Sequence, residues 1–434
     1  NETIIFVLLP RHERKEFILK STKNELKILK KLKLFNDPIY GFITVKNPLV
    51  FQVIEHPYFQ RLRRISQMGL SYLVYPGAHH TRFHHVIGCT FLMQKAIEIL
   101  RLKEVDISPE EEEALLLAIL MHDLGHGPFS HALEGCFVQS MGHEELSLKF
   151  MESLNEQFHK RLEMAMAMFK GEYPRQFMNQ LISSQLDMDR LDYLKRDSFY
   201  SGVAEGNLNA ERLISMLCVR NDQLAIEEKG IYSVEKFIMA RRFMYWQVYL
   251  HKTGLAAENI LVKIVKRSRE LIRAGKEVPM TPVLGVFMEN ELTSESFEEK
   301  YLKAYAKLDD TDLIHGMKAW CDHEDFILSY LSRSIVNRRL PKVVMSDKPF
   351  KRDEIDRIRK KIGTRFGIDK KELDYLVYSG EVSNLAYKTE PTGIRIALKK
   401  GETIDIKDAS DYAGIDGLNQ KTTRYFLCYP KKGT

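Results

Sequence analysis

Apolar residues return three and four positions apart through most of the chain. From Leu49 to about Arg339 this pattern reads as helix after helix. The stretch "SPEEEEALLLAIL", residues 108–120, shows how one of them starts. Ser108 can cap the first turn, Pro109 suits it, and the glutamates place negative charge at the positive helix end. The run that follows is apolar enough for a protein core. Residues 11–33 carry Lys and Arg with leucines at helical spacing, which predicts a basic amphipathic helix or arm. "NDPIYGFITVKNP", residues 36–48, has turn residues around a short β-branched segment and reads as a small hairpin. After Pro341 the texture changes. "PKVVM", "LDYLVYSG", "GIRIAL", "ETIDI" and "TRYFLCYP" read as strands, with a charged helix over 351–363 among them. The expected architecture is mainly α: an arm over 1–35, a helical catalytic domain over 36–340 and a small α+β lobe over 341–434.

Composition narrows the function classes. A hydrophobic fraction of 44% over 434 residues is ordinary for a globular protein, and the formal charge of +6 is small for this length. It allows a pocket for phosphates without indicating a nucleic-acid binder. The five cysteines (Cys89, Cys136, Cys218, Cys321, Cys428) lie far apart with no C-x-x-C pair, which points to reduced thiols in a cytoplasm. "IIFVLLP", residues 4–10, is too short to span a membrane and lacks the flanks of a secretory signal. A cytoplasmic protein is expected.

The apolar run at 115–121 ends in His122 and Asp123 and then breaks at "GHGP". Eight of the 14 histidines fall between His79 and His143. Adjacent residues on a helix point about 100° apart, so His122 and Asp123 can grip one ion only near a helix end, with other ligands arriving from elsewhere. Imidazole nitrogen and carboxylate oxygen suit a divalent metal. A lone buried His beside an Asp is more often a satisfied polar pair. Here it has company: His84 and His85 follow Arg82, and "SSQLDMDRLDYLKRD" offers Asp187, Asp189, Asp192 and Asp197. Asp189, Tyr193 and Asp197 share one helical face, as do Arg241, Tyr245 and Tyr249 in "ARRFMYWQVYLHK". Taken alone, the first face would be solvated and the second an aromatic core stripe with a snorkelling Arg.

Taken together, "KLFNDPIYGFI", "HPYFQRLRRISQMG", "YPGAHHTRFHHVIG", "HDLGHGPFSH" and "DMDRLDYLKRD" resemble the HD phosphohydrolase superfamily. Within it they are most similar to the deoxynucleoside triphosphate triphosphohydrolases, especially the branch that joins a SAM domain to the HD domain. The segments keep the same order and near-identical spacing from about residue 33 to 255, and no SAM domain is part of the resemblance. The resemblance implies a metal site of His85, His122, Asp123 and Asp189 for a divalent ion; iron, manganese, zinc, cobalt and magnesium all suit it. It implies a catalytic set of His126, His131, Glu134 and His143, with His131 as general acid oriented by Glu134. Arg82, Arg190, Tyr193 and Arg241 match phosphate-contacting positions. Gln67, Asp197 and Tyr249 match positions around the deoxyribose, and Met68 lies against the base. Tyr245 replaces a histidine near the phosphates, and Leu250 replaces a glutamine near the base. Both departures bear on base preference.

The implied reaction is dNTP plus water giving a deoxynucleoside and inorganic triphosphate. Lys33, Glu55, Gln60 and Arg63, with Glu in place of Asp, match a site where a GTP or dGTP activator binds between subunits. A homo-oligomer, a tetramer, goes with that site. Read from its charges alone, "EHPYFQRLRRI" is an amphipathic helix with a solvated face. Two other readings stand beside the main one. Another HD phosphohydrolase would act on a cyclic dinucleotide, an alarmone or a nucleoside monophosphate; the G-Y-P and E-D signatures of such enzymes do not follow this His-Asp pair. A non-catalytic nucleotide sensor or single-strand nucleic-acid binder could use the basic arm, but it would have no need of His131 and Glu134.

Overall fold

The computed structural model describes residues 33–388, 393–412, 414, 417 and 419–431. The basic arm expected over 1–35 lies outside these residues except for its end, Lys33 to Phe35, which opens a strand. The hairpin expected over 36–48 is formed by β1 (Lys33–Asp37) and β2 (Gly41–Val45), paired antiparallel. Its turn is closed by Asp37, whose Oδ1 accepts from Ile39 N at 2.8 Å and Tyr40 N at 3.0 Å. Helix α1 (Pro48–Glu55) follows, capped by Asn47.

"EHPYFQRLRRI" is not one helix. His56 is extended, with ψ 139°, because the ring of Pro57 disfavours the helical region for the residue before it. A short turn (Pro57–Gln60) and a 3-10 turn (Arg61–Arg64) replace the expected continuation. The break turns Arg61 into the core, where it is fully buried. Its guanidinium donates to Leu308 O at 2.8 Å, Leu124 O at 3.2 Å and His126 O at 2.7 Å, and lies 4.9 Å from the ring of Tyr305.

The body is mainly α. Helix α2 (Arg82–Leu102) packs against α3 (Pro109–Met121) and against α5 (Met188–Ser201); α4 (His143–Gln157) lies between α3 and α5 in the chain. Ser108 caps α3 as expected, in a reciprocal box: its Oγ accepts from Glu111 N and Glu111 Oε2 accepts from Ser108 N. Every residue from Ala114 to Met121 is buried. Gly88 lets α5 come close to α2, since a Cβ there would stand 2.0 Å from Asp192 Oδ1 and 2.3 Å from Arg196 Nη2.

Strands β3 (Leu217–Arg220) and β4 (Gln223–Glu227) form a hairpin before α6 (Ile231–Met244) and the long α7 (Lys252–Arg273). The chain then adds β5 (Lys342–Ser346), α8 (Arg352–Phe366), α9 (Lys370–Leu376), β6 (Tyr378–Asn384), β7 (Arg395–Ala397), β8 (Thr403–Asp405) and β9 (Thr422–Tyr429). "LDYLVYSG" is a strand only from Tyr378. Its first half is helical because Asp369 and Glu372 build a capping box that starts α9. The residues after 340 enter two sheets. One has the order β5-β9-β6 and packs on α7; the other, β8-β7-β4-β3, joins β7 in parallel to β4, pairing Ile396 with Ile226. The C-terminal strands thus complete a sheet begun in the middle of the chain. Among the described residues no helix is long and apolar enough to cross a membrane.

Arg61→Met removes the donors for three buried carbonyls. We expect it to lower the unfolding free energy by roughly 3–5 kcal/mol, the range for breaking a buried charged network. Urea denaturation checks this, and an unchanged midpoint would show that those carbonyls find other partners.

Candidate metal centre and active site

Helix α3 ends at Met121, and His122 stands at its C-cap, so the His-Asp pair lies at a helix end as the 100° argument requires. The chain then turns against α4. A Cβ on Gly125 would lie 2.0 Å from His143 O and 2.4 Å from Ser147 N. Ser147 Oγ pins the turn by donating to His122 O at 2.6 Å and accepting from Gly125 N at 2.8 Å. Phe129 and Ser130 follow at φ 55° and 57°, a strained pair for residues with side chains. The buried carboxyl of Asp310 over-determines the strained turn, accepting from Phe129 N at 2.7 Å and Ser66 N at 2.8 Å.

The four expected ligands come together. His85 Nε2 lies 3.0 Å from Asp189 Oδ1 and 3.6 Å from Asp123 Oδ2; His122 Nε2 lies 3.4 Å from Asp123 Oδ1 and 3.6 Å from Asp189 Oδ1. Each imidazole is oriented from behind. His122 Nδ1 sits 2.7 Å from Ile119 O, which places its proton there and leaves Nε2 as a buried atom without a hydrogen bond. His85 Nδ1 donates to Asp192 Oδ2 at 2.8 Å. Asp192 is in turn held by Arg196, through Nε at 2.8 Å and Nη2 at 3.0 Å, and Arg196 reaches Asp37 of β1 at 2.8 Å. Burial works against charge on Asp123, yet Arg82, His122 and His126 around it hold its carboxyl well below the usual range.

Ligand atoms of His85, Cys89, His122 and Asp189 lie within 4.8 Å of one another, and Asp123 stands beside that group. Two imidazoles and two carboxylates suit a divalent cation, and the orphaned His122 Nε2 is the atom such an ion would satisfy. Cys89 also comes near, its Sγ 3.5 Å and 3.6 Å from the two nitrogens of His85. Burial pushes its thiol up, which keeps it protonated and a poor ligand.

A second cluster adjoins the first. His126 and His143 stack at 4.1 Å and 16°, and His131 meets both edge-on at 4.7 Å and 5.1 Å. Glu134 joins them, with Oε2 3.0 Å from His131 Nδ1 and Oε1 2.7 Å from His143 Nδ1. Those two bonds hold the Glu134 carboxyl well below its usual range. The nitrogens of the three rings are close enough to suggest a second ion. Parallel stacked rings do not aim their in-plane lone pairs at a common point, however, and the arrangement suits proton transfer better. Burial and the nearby Arg82 keep His126 well below an ordinary histidine, so its ring is neutral.

Both clusters open into one cavity of about 420 Å³. Gln67, Met68, Arg82, Arg190, Tyr193, Asp197, Tyr245 and Tyr249 all line it. Arg82 bonds Asp123 and Ser130 Oγ; Arg190 is braced by Asp187 at 2.9 Å. Asp197 accepts from Tyr249 Oη at 2.8 Å. Tyr245–Tyr249 wind as a π turn after α6 rather than continuing one α-helical face. Tyr245 and Tyr249 still meet at 5.1 Å, while Arg241 stands behind Tyr245, 5.9 Å from its ring and outside the cavity lining. Leu250 ends the π turn and does not line the cavity either. His79 stacks on Tyr72 and His84 caps α2, consistent with neither being a ligand.

Residue-by-residue reading missed several participants. Arg196, four residues after Asp192 on α5, carried an i,i+4 pairing signal, whereas Ser130, Asp37 and Glu258 carried none. Glu258, on α7, lines the cavity, and burial pushes its carboxyl up to about 7.

Lys33, Glu55, Gln60 and Arg63 gather on the outer face near the hairpin. Lys33 Nζ lies 3.9 Å from Glu55, and Arg63 Nε donates to Gln60 at 2.8 Å while its guanidinium covers the ring of Phe83 at 3.5 Å.

Sequence comparison matches residues 82–197 to the HD domain and 208–278 to the HD associated region. The protein YwfO of Bacillus subtilis is 37% identical over 318 residues, covering 71% of each chain. The deoxynucleoside triphosphate triphosphohydrolase SAMHD1 of Gallus gallus is 26% identical, over 84% of this chain and 62% of its own length. A phosphohydrolase of Bacteroides thetaiotaomicron of known structure is 45% identical, with a TM-score of 0.90 over 92% of this chain and all of its own.

The raised value of Glu258 fixes the sign of a pH effect. Below its ordinary 4.5 both folded and unfolded chains hold the proton, and the full stability is present. As pH rises through about 7 the unfolded chain has already released the proton and the folded one must bury an anion, so stability is lost. Glu258→Gln should therefore gain on the wild type by roughly 1–3 kcal/mol between acidic and mildly alkaline pH. Denaturant titrations at the two pH values test this; a constant difference would mean the carboxyl ionises without cost.

Proposed function

Because this chain belongs to the HD-domain phosphohydrolase family, we propose that it hydrolyses deoxynucleoside triphosphates to a deoxynucleoside and inorganic triphosphate. The observation that supports this most is one cavity of about 420 Å³ joining a four-ligand metal cluster, a histidine–glutamate proton relay, arginines and a tyrosine-lined end. His85, His122, Asp123 and Asp189 would hold a divalent ion. When bound, that ion supplies Lewis-acid stabilisation of charge on the α-phosphate.

The chain's own residues do the rest. Arg82 and Arg190 face the cavity and offset the charge of the triphosphate, with Arg241 adding its field from behind Tyr245. Neutral His126, with His143 stacked on it, orients the water that attacks the α-phosphorus, and His143 can take up its proton. The bond from the α-phosphorus to the 5′ oxygen breaks, and the leaving oxygen needs a proton. His131 supplies it: Glu134 fixes its Nδ1–H, so Nε2 carries the transferable proton. Gln67, Asp197 and Tyr249 take the deoxyribose, Tyr193 and Tyr245 sit by the phosphates and Met68 lies against the base.

The test is a product assay with all four dNTPs and several divalent metals, resolving triphosphate from pyrophosphate. Asp123→Ala should lose metal and turnover while staying folded. His131→Ala should keep both metal and substrate but slow by roughly two to four orders of magnitude. Release of pyrophosphate, or full activity in Asp123→Ala, would overturn the reading.

A regulatory site extends the same proposal. Lys33, Glu55, Gln60 and Arg63 would bind GTP or dGTP between subunits of a tetramer, the carboxylate accepting from the guanine edge and the cations meeting the phosphates. Their clustering on the outer face supports it, and a ligand held between subunits stabilises the assembled state. Sedimentation and rate measurements with and without nucleotide should show assembly and a rise in hydrolysis, both abolished in Arg63→Glu. A monomer indifferent to GTP and dGTP would leave these residues as surface only.

A further inference from the structure

His80 is buried, and no role yet given to the site uses it. Its ring lies flat on Tyr200, at 4.3 Å and 15°, and its Nε2 is 2.7 Å from Asp197 Oδ1. Tyr200 and Asp197 are both on α5, so one helix fixes the ring through its face and through one edge. Its other nitrogen, Nδ1, is buried without a hydrogen bond. Nε2 is therefore the nitrogen whose hydrogen bond holds the ring, and Asp197 is its acceptor.

That bond completes a frame. Asp197 Oδ2 already accepts from Tyr249 Oη at 2.8 Å, so each carboxylate oxygen has one fixed donor and retains a lone pair. Asp197 lines the cavity, where a retained lone pair can only accept from a ligand. The backbone of His80 holds a second cavity residue, since its carbonyl accepts from Gln67 N at 3.0 Å. One residue thus touches Asp197 by its side chain and Gln67 by its main chain, and Asp197 in turn touches Tyr249. These are the three residues at the sugar end of the cavity. The same segment runs on to Arg82 and His85, which ties the sugar end to the metal end.

We infer that His80 is a positioning residue for the sugar: it orients the Asp197 carboxylate to accept a hydrogen bond from the 3′-hydroxyl of a bound deoxynucleotide. This rests on the nucleotide reading of the cavity. His80 does not touch the substrate; it sets the angle at which Asp197 does.

The experiment compares each dNTP with its 2′,3′-dideoxy counterpart on metal-loaded wild-type, His80→Ala and His80→Gln proteins. The wild type should prefer the 3′-hydroxyl form. In His80→Ala that preference, as a ratio of kcat/KM, should fall roughly ten- to a hundredfold, the span for a hydrogen bond to a charged group. The loss should lie mainly in KM for the dNTP, with dideoxynucleotide turnover and metal content little changed. His80→Gln, whose amide N–H can still donate to Asp197, should keep most of the preference and also guards against a misfolded alanine variant. An unchanged ratio in His80→Ala overturns the inference, as does a loss of the preference in His80→Gln as large as that in His80→Ala. A wild type that hydrolyses both forms equally removes the 3′-hydroxyl contact and overturns it too. A wild type that hydrolyses neither fails the proposed reaction itself, and this inference with it.

Discussion

The His85 side of the candidate metal centre leans on one buried ionic chain. His85 donates to Asp192, Asp192 is gripped on both oxygens by Arg196, and Arg196 reaches Asp37 in the first hairpin. Three charges out of water cost several kcal/mol each unless they are paired and hydrogen-bonded, and here each is. In return the chain fixes which nitrogen of His85 carries the proton and where its other lone pair points. It also locks α2 to α5 at the level of Gly88, where no larger residue leaves room. Arg61 does corresponding work in the core, holding the carbonyls of Leu124 and His126 and so bracing the loop after the His-Asp pair.

With these two arginines as fixed points, the cavity divides its tasks by position. Anions and imidazoles crowd the floor, where a cation is wanted. The His126–His131–His143 cluster stands beside it, tied together by a carboxylate at its rim. Tyrosines close the opposite end. A neutral His126 next to an anionic Asp123 shows one cation acting on both: Arg82 lowers the two pKa values alike, which favours the charged carboxylate and the uncharged ring. The strained turn at Phe129 and Ser130 belongs to the same design, since Asp310 holds it in place from a distant helix.

The helical body, the cap at Ser108 and the gathering of His85, His122, Asp123 and Asp189 were legible in the sequence, because capping chemistry and motif order are local signals. The break at His56 was legible in principle from Pro57, but charge periodicity read through it. The π turn at Tyr245 was not, since a one-residue widening leaves no compositional trace. Supporting residues such as Asp37, Ser130 and Glu258 act across long stretches of chain. Only the packed fold brings them to the site. The parallel pairing of β7 with β4 is of the same kind, as nothing near Ile226 announces a partner at Ile396.

That pairing has a bearing on how the protein is made. During synthesis the β3–β4 hairpin emerges long before the strand that covers its open edge. Until β7 arrives, β4 presents unpaired main-chain groups to whatever strand is at hand, a recognised route to misassembly. Closing the edge late also draws the last part of the chain onto the body that carries α6 and the tyrosines. A nascent chain stalled before that point would hold every candidate metal ligand and still lack its finished sheet.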